Sequence, residues 1–266
     1  MLPRLREDSY PIIIDFIRGK VRESGSDGVV IGLSGGLDSA VVCKLCADAV
    51  GGDKVLAVYM PAPTSPPGDR EICDLLTRDF GAEFAVIEID KAVEVFSELL
   101  PSSERKDLMG NVITRIRMIV LFHLANLRKR VVMGTSNKSE LLVGYFTKFG
   151  DGGADFAPIG DLYKTEVREL ARRIGIPEVC VDRVPSAGLW EGQTDEEEIG
   201  VTYGDLDRIL YGFELGYSRD EIVRRTGIDG TLVDTVWRRY TQTVHKRKMP
   251  LIPKIGVRTI GLDWRE

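Results

Sequence analysis

The sequence predicts a doubly wound α/β fold: a mostly parallel sheet with helices on both faces, followed by a helical C-terminal part. Three observations carry this expectation. Short β-branched runs alternate with helical stretches from Val29 to Gly134, the order that βαβ units require. Several of those runs are apolar at every position, as strands covered on both faces must be. A glycine turn, Ser34-Gly35-Gly36, follows the first run directly and opens the next helix, and ligands of such sheets bind at that end of the strands.

The elements follow in order. Ile13, Ile14, Ile17 and Val21 recur at helical spacing with Asp15, Arg18 and Arg22 between them, so an amphipathic helix comes first and closes at Ser24-Gly25-Ser26. Val29 to Leu33 reads as a strand, and Ala40 to Val50 as the helix after the glycine loop. Lys54 to Met60 reads as a strand, Asp69 to Phe80 as a helix and Glu83 to Ile89 as a strand. Gly110 to Lys129 is a long helix feeding a strand from Arg130 to Gly134. Right-handed crossovers between parallel strands place the Ser34–Ser39 loop and the Thr135–Glu140 segment at the same edge of the sheet. After Pro158 the pattern is helical only: Tyr163 to Ile174, Asp205 to Tyr211, Arg219 to Thr226 and Thr231 to Lys248. No Pro-, Gly- or Ser-rich linker, repeat or low-complexity tract divides the 266 residues. One domain is expected, with a core over about 25–160 and a helical part over about 161–266. Gly144 to Gly160 and Val184 to Thr194 are long connections of the kind that carry function.

Composition narrows the class. With 43% apolar and 29% charged residues the chain can fill a core and is not a disordered protein. A net charge of −5 argues against a broad nucleic-acid-binding face. The first ten residues carry Arg4, Arg6, Glu7 and Asp8 rather than the apolar run of a leader, and no stretch is expected to reach the ~18 apolar residues of a membrane span. Four cysteines in this length suit reduced thiols better than a disulfide framework. A cytoplasmic protein without membrane or nucleic-acid partners is the expectation.

Ser34-Gly35-Gly36-Leu37-Asp38-Ser39 is the first chemical signal. Glycines let backbone N–H groups approach an anion, and the helix N-terminus adds unpaired donors and partial positive charge. A phosphate is the natural guest. The loop lacks the Gly-Lys-Ser/Thr ending of a Walker A motif and is not G-x-G-x-x-G. Its bland rival is a tight turn with Asp38 as a helix cap. It is similar to the SGGxDS loop of the ATP pyrophosphatases, which cleave ATP between its α and β phosphates.

Four further blocks extend the resemblance across nearly the whole chain. Gly134-Thr135-Ser136-Asn137-Lys138-Ser139-Glu140 runs on through Gly144 to Asp155 and Pro158 to Thr165; Asn111 to Met118, Pro185 to Glu196 and His245-Lys246-Arg247 are the others. Together these resemble the NAD synthetases, which amidate nicotinic acid adenine dinucleotide (deamido-NAD). The resemblance implies an adenine nucleotide α-hydrolase-like fold, with Gly32, Leu33, Ser34, Gly35, Gly36, Leu37, Asp38 and Ser39 around the ATP phosphates. It places Thr135, Lys164 and Ser186 on ATP, with Asp38 and Lys164 in catalytic roles, and Asp38 and Glu140 on Mg²⁺. Hard carboxylate oxygens joined by phosphate oxygens are what Mg²⁺ prefers. Arg115, Lys148, Asp155, His245 and Lys246 fall at positions that hold the dinucleotide, whose pyrophosphate and carboxylate suit basic groups. ATP is then a co-substrate and Mg²⁺ the cofactor. Ammonia is the expected nitrogen donor, because only 33 residues precede the phosphate loop and the amidase domain of glutamine-dependent relatives has no room there. A homodimer is also implied.

Each assignment has a plainer rival. Arg115 and Arg117 lie two apart on one helix and face different sides, and the matched block selects Arg115. Glu140 alone would be a solvated helix carboxylate, and His245 to Lys248 alone a basic helix C-terminus stabilised by the macrodipole. Cys43-x-x-Cys46 sits beside Val41, Val42 and Leu45 with no second pair, so packing is expected rather than metal or redox chemistry. Two other functions compete: a tRNA-thiolating ATP pyrophosphatase, and a nucleic-acid module in which Arg219 to Lys248 forms a helix-turn-helix. One segment departs from the family pattern. Pro61-Ala62-Pro63-Thr64-Ser65-Pro66-Pro67-Gly68-Asp69 is a stiffer loop than the serine-bearing one expected there.

Overall fold

The computed structural model describes residues 1–260 except Pro63, Pro67 and Glu191; those positions of the proline-rich segment and of the 185–196 block lie outside it. Four strands form the sheet: β1 (Val29–Gly32), β2 (Val55–Tyr59), β3 (Glu83–Val86) and β4 (Val131–Met133). All pairs are parallel in the order β3-β2-β1-β4, with Val29 opposite both Val55 and Val131. The order reverses at β1, so the crevice between β1 and β4 is the topological switch point where open α/β sheets bind ligands.

The helices are α1 (Ser9–Glu23), α2 (Leu37–Val50), α3 (Asp69–Phe80), α4 (Asp90–Leu99), α5 (Lys106–Arg128), α6 (Lys138–Val143), α7 (Lys164–Arg173), α8 (Glu178–Val181), α9 (Asp195–Ile199), α10 (Tyr203–Glu214), α11 (Arg219–Thr226) and α12 (Gly230–Gln242). Successive strand residues point to opposite faces. Val29, Ile31, Val55, Ala57 and Met133 therefore pack against Ile14 and Ile17 of α1, Leu45 of α2, Leu76 of α3 and Leu170 of α7. Val30, Leu56, Val58 and Val132 pack on the other face against Ile113, Ile116, Leu121 and Ala125 of α5. Both faces are covered, as expected. A third cluster, with Tyr163, Tyr203, Leu206, Ile209, Ile222, Val233 and Val236 at its centre, joins α6 to α10, α11 and α12.

Differences from the sequence expectation have local causes. The third strand ends at Val86 rather than Ile89, because its partner β2 ends at Tyr59, opposite Val86. α4 was not expected; it buries none of its side chains fully, and Ala92 and Val93 rest only partly covered against the core on the α5 side of the sheet. α5 starts at Lys106, before Gly110. It is also the one described helix long and apolar enough to meet a membrane-span criterion, against the expectation that no stretch would. One side of it covers the sheet through Ile113, Ile116, Leu121 and Ala125 while Ile119 and Leu127 stay exposed, and it carries Arg115 and Arg117. The last helix stops at Gln242 rather than running to Lys248, and a 3₁₀ turn covers Val244–Lys246. Thr243 there packs so closely on Gly144 that a Cβ at that glycine would lie 2.4 Å from it. Lys246 Nζ donates to the carbonyls of Gly144 and Phe146, each at 2.7 Å, and Arg247 Nη1 donates to Leu142 O at 2.6 Å. These basic side chains cap α6 rather than end α12.

β4 is an edge strand, and the segment after it folds back along it. Phe156 bridges Met133, Gly134 N donates to Phe156 O at 2.8 Å, and Asp155 Oδ2 accepts from Val132 N at 2.8 Å.

Candidate active site

A cavity of about 880 Å³ opens at the carboxyl ends of β1 and β4. β1 leads into the glycine loop, where Gly35 takes φ +75°, a conformation costly for any residue with a Cβ. Ser39 Oγ donates to Gly36 O at 3.0 Å, and Ser34 N donates to Ser39 Oγ at 3.2 Å, which closes the loop on itself. Gly36 is the N-cap of α2 and no side chain caps that helix. Its first backbone donors are therefore free to face the cavity, whose wall includes Gly36, Leu37 and Asp38. Asp38 is not a cap, which removes the plainer reading of it.

The carboxylate of Asp38 instead meets two groups. Asn137 Nδ2 donates to Oδ1 at 3.1 Å, and Lys164 Nζ forms a short ion pair with Oδ2. Asn137 also begins α6 through a capping box: its Oδ1 accepts from Glu140 N at 3.1 Å while Glu140 Oε2 accepts from Asn137 N at 3.2 Å. That reciprocal pair fixes Glu140, whose Oε1 lies 3.4 Å from Lys164 Nζ. Lys164 is the first residue of α7, held by its own N–H on Ser139 Oγ at 2.9 Å. Ser139 in turn donates to the buried Asp207 at 2.5 Å. Three helix starts thus bring one ammonium between two carboxylates.

The electrostatics follow from burial. Burial pushes the Glu140 carboxyl up to about 8 against the pull of Lys164, with Asp38 and Asp195 adding to the rise. Lys164 is also desolvated, which alone would lower its pKa, but Asp38 and Glu140 outweigh that and raise it. Lys164 is charged at neutral pH. Beneath it, Tyr203 OH lies 3.2 Å from Glu140 Oε1 and 3.1 Å from Asp195 Oδ2, and Tyr145 OH lies 3.1 Å from Asp195 Oδ1 and 2.5 Å from Glu198 Oε2. Burial raises the Asp195 carboxyl as well.

Of the residues singled out in the sequence, Gly32, Leu33, Ser34, Gly36, Leu37, Asp38, Ser39, Thr135, Glu140, Lys164, Ser186 and Lys246 line the cavity. Gly35 turns its carbonyl away to Arg183 Nη1 at 3.3 Å. Arg115, Lys148, Asp155 and His245 do not line it within this one chain. Arg115 is exposed and its Nη2 donates to Lys148 O at 3.3 Å. Asp155 is engaged at the β4 edge, and His245 is exposed on the 3₁₀ turn. Arg117, not Arg115, reaches the cavity wall, with its Nε on Met60 O at 3.2 Å. Cys43 and Cys46 are fully buried in the first core cluster; burial holds the Cys43 thiol up at about 12 and the Cys46 thiol well above its usual value. They pack. Sequence reasoning missed Asp69, Arg183, Tyr145, Glu198 and Arg239 on the wall. Tyr145 lies within the matched Gly144 to Asp155 stretch and Glu198 two residues past the 185–196 block, and only those blocks could have flagged them.

Known proteins match this arrangement along its length. The family model described as NAD synthase matches residues 10–250. The NH(3)-dependent NAD(+) synthetase of Methanococcoides burtonii is 44% identical over 95% of this chain and 96% of its own length. The solved NMN synthetase of Francisella tularensis superposes with a TM-score of 0.83 at 33% identity, covering 94% of this chain and 98% of that one. The NH3-dependent NAD synthetase of Campylobacter jejuni gives 0.79 at 34% identity over 93% and 98%. A glycine loop that presents helix donors, a lysine held between two carboxylates at the switch point, and matches over more than nine-tenths of the chain have one explanation: the chain belongs to the NAD synthase family.

Proposed function

We propose that the chain amidates deamido-NAD with ammonia, converting ATP to AMP and pyrophosphate. The observation that carries this is Lys164, set between Asp38 of the glycine loop and Glu140 of α6 on the wall of the cavity. A carboxylate is a poor acyl donor because its leaving group would be oxide. ATP solves this: a nicotinate oxygen attacks the α-phosphorus, the bond from that phosphorus to the bridging oxygen breaks, and pyrophosphate leaves. Ammonia then attacks the acyl carbon of the adenylate and loses a proton, and AMP departs as the amide forms. No covalent protein intermediate is required. The chain's task is alignment of two anions and neutralisation of charge.

The roles divide by position. Gly32 to Ser39 receive the phosphates, Thr135 and Ser186 border the nucleotide, and Lys164 meets the charge growing on departing pyrophosphate. Lys246 lines the same cavity and is assigned to the dinucleotide. Arg115, Lys148, Asp155 and His245 belong to the dinucleotide in this proposal only through a second copy or a closing movement. The homodimer fits that need, and α4 and α5 leave Val95, Phe96, Leu99, Ile119 and Leu127 exposed. The donor set also fits Mg²⁺: two carboxylates converge on one ammonium, Glu140 lacks enough positive charge to ionise readily, and Mg²⁺ is usually held by one or two carboxylates plus phosphates. Asp38 and Glu140 would hold it, and it would screen the phosphate charges. The four unpaired, buried thiols suit the reducing cytoplasm.

A second reading rests on the Francisella neighbour: the same chemistry on nicotinic acid mononucleotide. The higher identity to the methanogen relative supports the dinucleotide. Purified protein is incubated with ATP, Mg²⁺, either nicotinate nucleotide, and ammonium or glutamine, and NAD, AMP and pyrophosphate are quantified. Equal amounts of all three with deamido-NAD and ammonium are expected. Faster turnover of the mononucleotide would favour the second reading, and AMP and pyrophosphate without either amide would overturn both.

A further inference from the structure

Arg183 stands just before the 184–194 loop and is charge-paired, yet it touches the phosphate loop. Its Nη2 meets the buried Asp69 Oδ1 at 2.7 Å, and its Nη1 donates to Gly35 O at 3.3 Å. The other end of the same peptide unit is also held, since Gly36 N donates to Ser34 Oγ at 3.3 Å. The plane of peptide 35–36 is therefore fixed at both its carbonyl and its N–H. Contact is close on the glycine itself: a Cβ at Gly35 would lie 3.3 Å from Arg183 Nη1, 3.4 Å from Asp69 O and 3.5 Å from Ile72. α3 supports the loop at a second point, with Cys73 Sγ 3.5 Å from Leu33 O.

We propose that Arg183, anchored by Asp69, is a positioning residue for the ATP triphosphate, holding the Gly35–Gly36 peptide in the orientation that presents the start of α2 to the phosphates. Its two terminal nitrogens are committed to Asp69 and to Gly35, so it acts through the loop and not as a free charge. The peptide has to be held because Gly35 sits at positive φ, where glycine has many alternatives. The pair also ties α3, the phosphate loop and the entrance to the 184–194 segment into one unit. This rests on the reading that the loop takes the phosphates of ATP.

The test uses the full-length protein, calorimetric titration with ATP and Mg²⁺, and steady-state kinetics with each substrate varied. Arg183→Met should weaken ATP binding and raise the KM for ATP about tenfold, the range of one lost hydrogen bond, while the KM for deamido-NAD moves less than twofold. Asp69→Asn should give the same loss, and the double variant no more than either single one. A merely structural role would lower the melting temperature and disturb both KM values alike, which would overturn the proposal. So would an Asp69→Asn variant that binds ATP as well as or better than the parent, because that is the mark of an arginine acting directly on phosphate. Parent protein that binds no ATP would instead overturn the phosphate-loop reading itself.

Discussion

Removing the carboxylate of Asp207 should unsettle the active-site lysine from a distance. Asp207 is fully buried; Oδ1 accepts from Ser139 Oγ at 2.5 Å and Oδ2 from Thr165 N at 2.8 Å. Ser139 stands at the start of α6 and Thr165 at the start of α7 beside Lys164, whose N–H rests on that same serine. A hydrogen bond to a charged group contributes about 1.5–3 kcal/mol, so two come to about 3–6 kcal/mol. Relief of the buried charge, which already raises the Asp207 carboxyl above its usual range, offsets part of that, leaving about 3 kcal/mol. For a chain of this size each kcal/mol moves Tm by about 2–4 °C, so Asp207→Ala should melt about 6–12 °C lower. Asp207→Asn keeps an oxygen for Thr165 N and offers an N–H to the serine, so about 1 kcal/mol is expected. Scanning calorimetry, paired with turnover at saturating ATP and deamido-NAD, reads both effects; turnover should fall far more in the alanine variant than in the asparagine one. An alanine variant melting within about 2 °C of the parent, or an asparagine variant equally damaged, would refute the reasoning.

Other outcomes follow from the same geometry. Asp38→Asn and Glu140→Gln should each lower turnover by about 100-fold or more while the fold persists, and near-normal rates at saturating Mg²⁺ would remove both from the metal site. Because burial raises Glu140 to about 8 from its usual 4.5, the folded protein keeps a proton that the unfolded chain has lost; that stability is present below about pH 4.5 and is lost as pH rises through about 8. In EDTA the parent should therefore lose stability between pH 5 and 8 more steeply than Glu140→Gln, and parallel melting curves would show the carboxyl to be ionised throughout. Cys43→Ala should keep full turnover and lose about 1–2 kcal/mol of stability; abolished turnover would return the thiolation reading.

The sheet was legible because its strands write their burial into the sequence: Val29 to Ile31 and Val55 to Val58 have no polar position, and both sides of each are covered. Asp38 was legible because it sits in a glycine loop between a strand and a helix, whereas Glu140 and Lys164 were reached through the matched family blocks. Arg117 was passed over for Arg115 because a helical wheel separates the two faces but does not say which one turns to the crevice. Asp207, Asp69 and Arg183 left no trace. Their partners are 42 to 148 residues away, and nothing in the chain's local pattern records such pairing. The end of the last helix was missed for a similar reason: Thr243 and Lys246 are set by α6, about 100 residues earlier.

The strap that folds back along β4 has a consequence of its own. An open strand edge invites another chain to add to it, and proteins blunt such edges with covering segments or inward charges. Here Asp155 and Phe156 do both, taking the hydrogen bonds of Val132 and Gly134 that would otherwise face a newcomer. The same strap joins the Gly144 to Gly153 stretch to the switch point. A change at Asp155 that abolishes activity therefore also unseals the sheet, and loss of soluble monomer or dimer into larger species would distinguish the broken seal from a lost substrate contact.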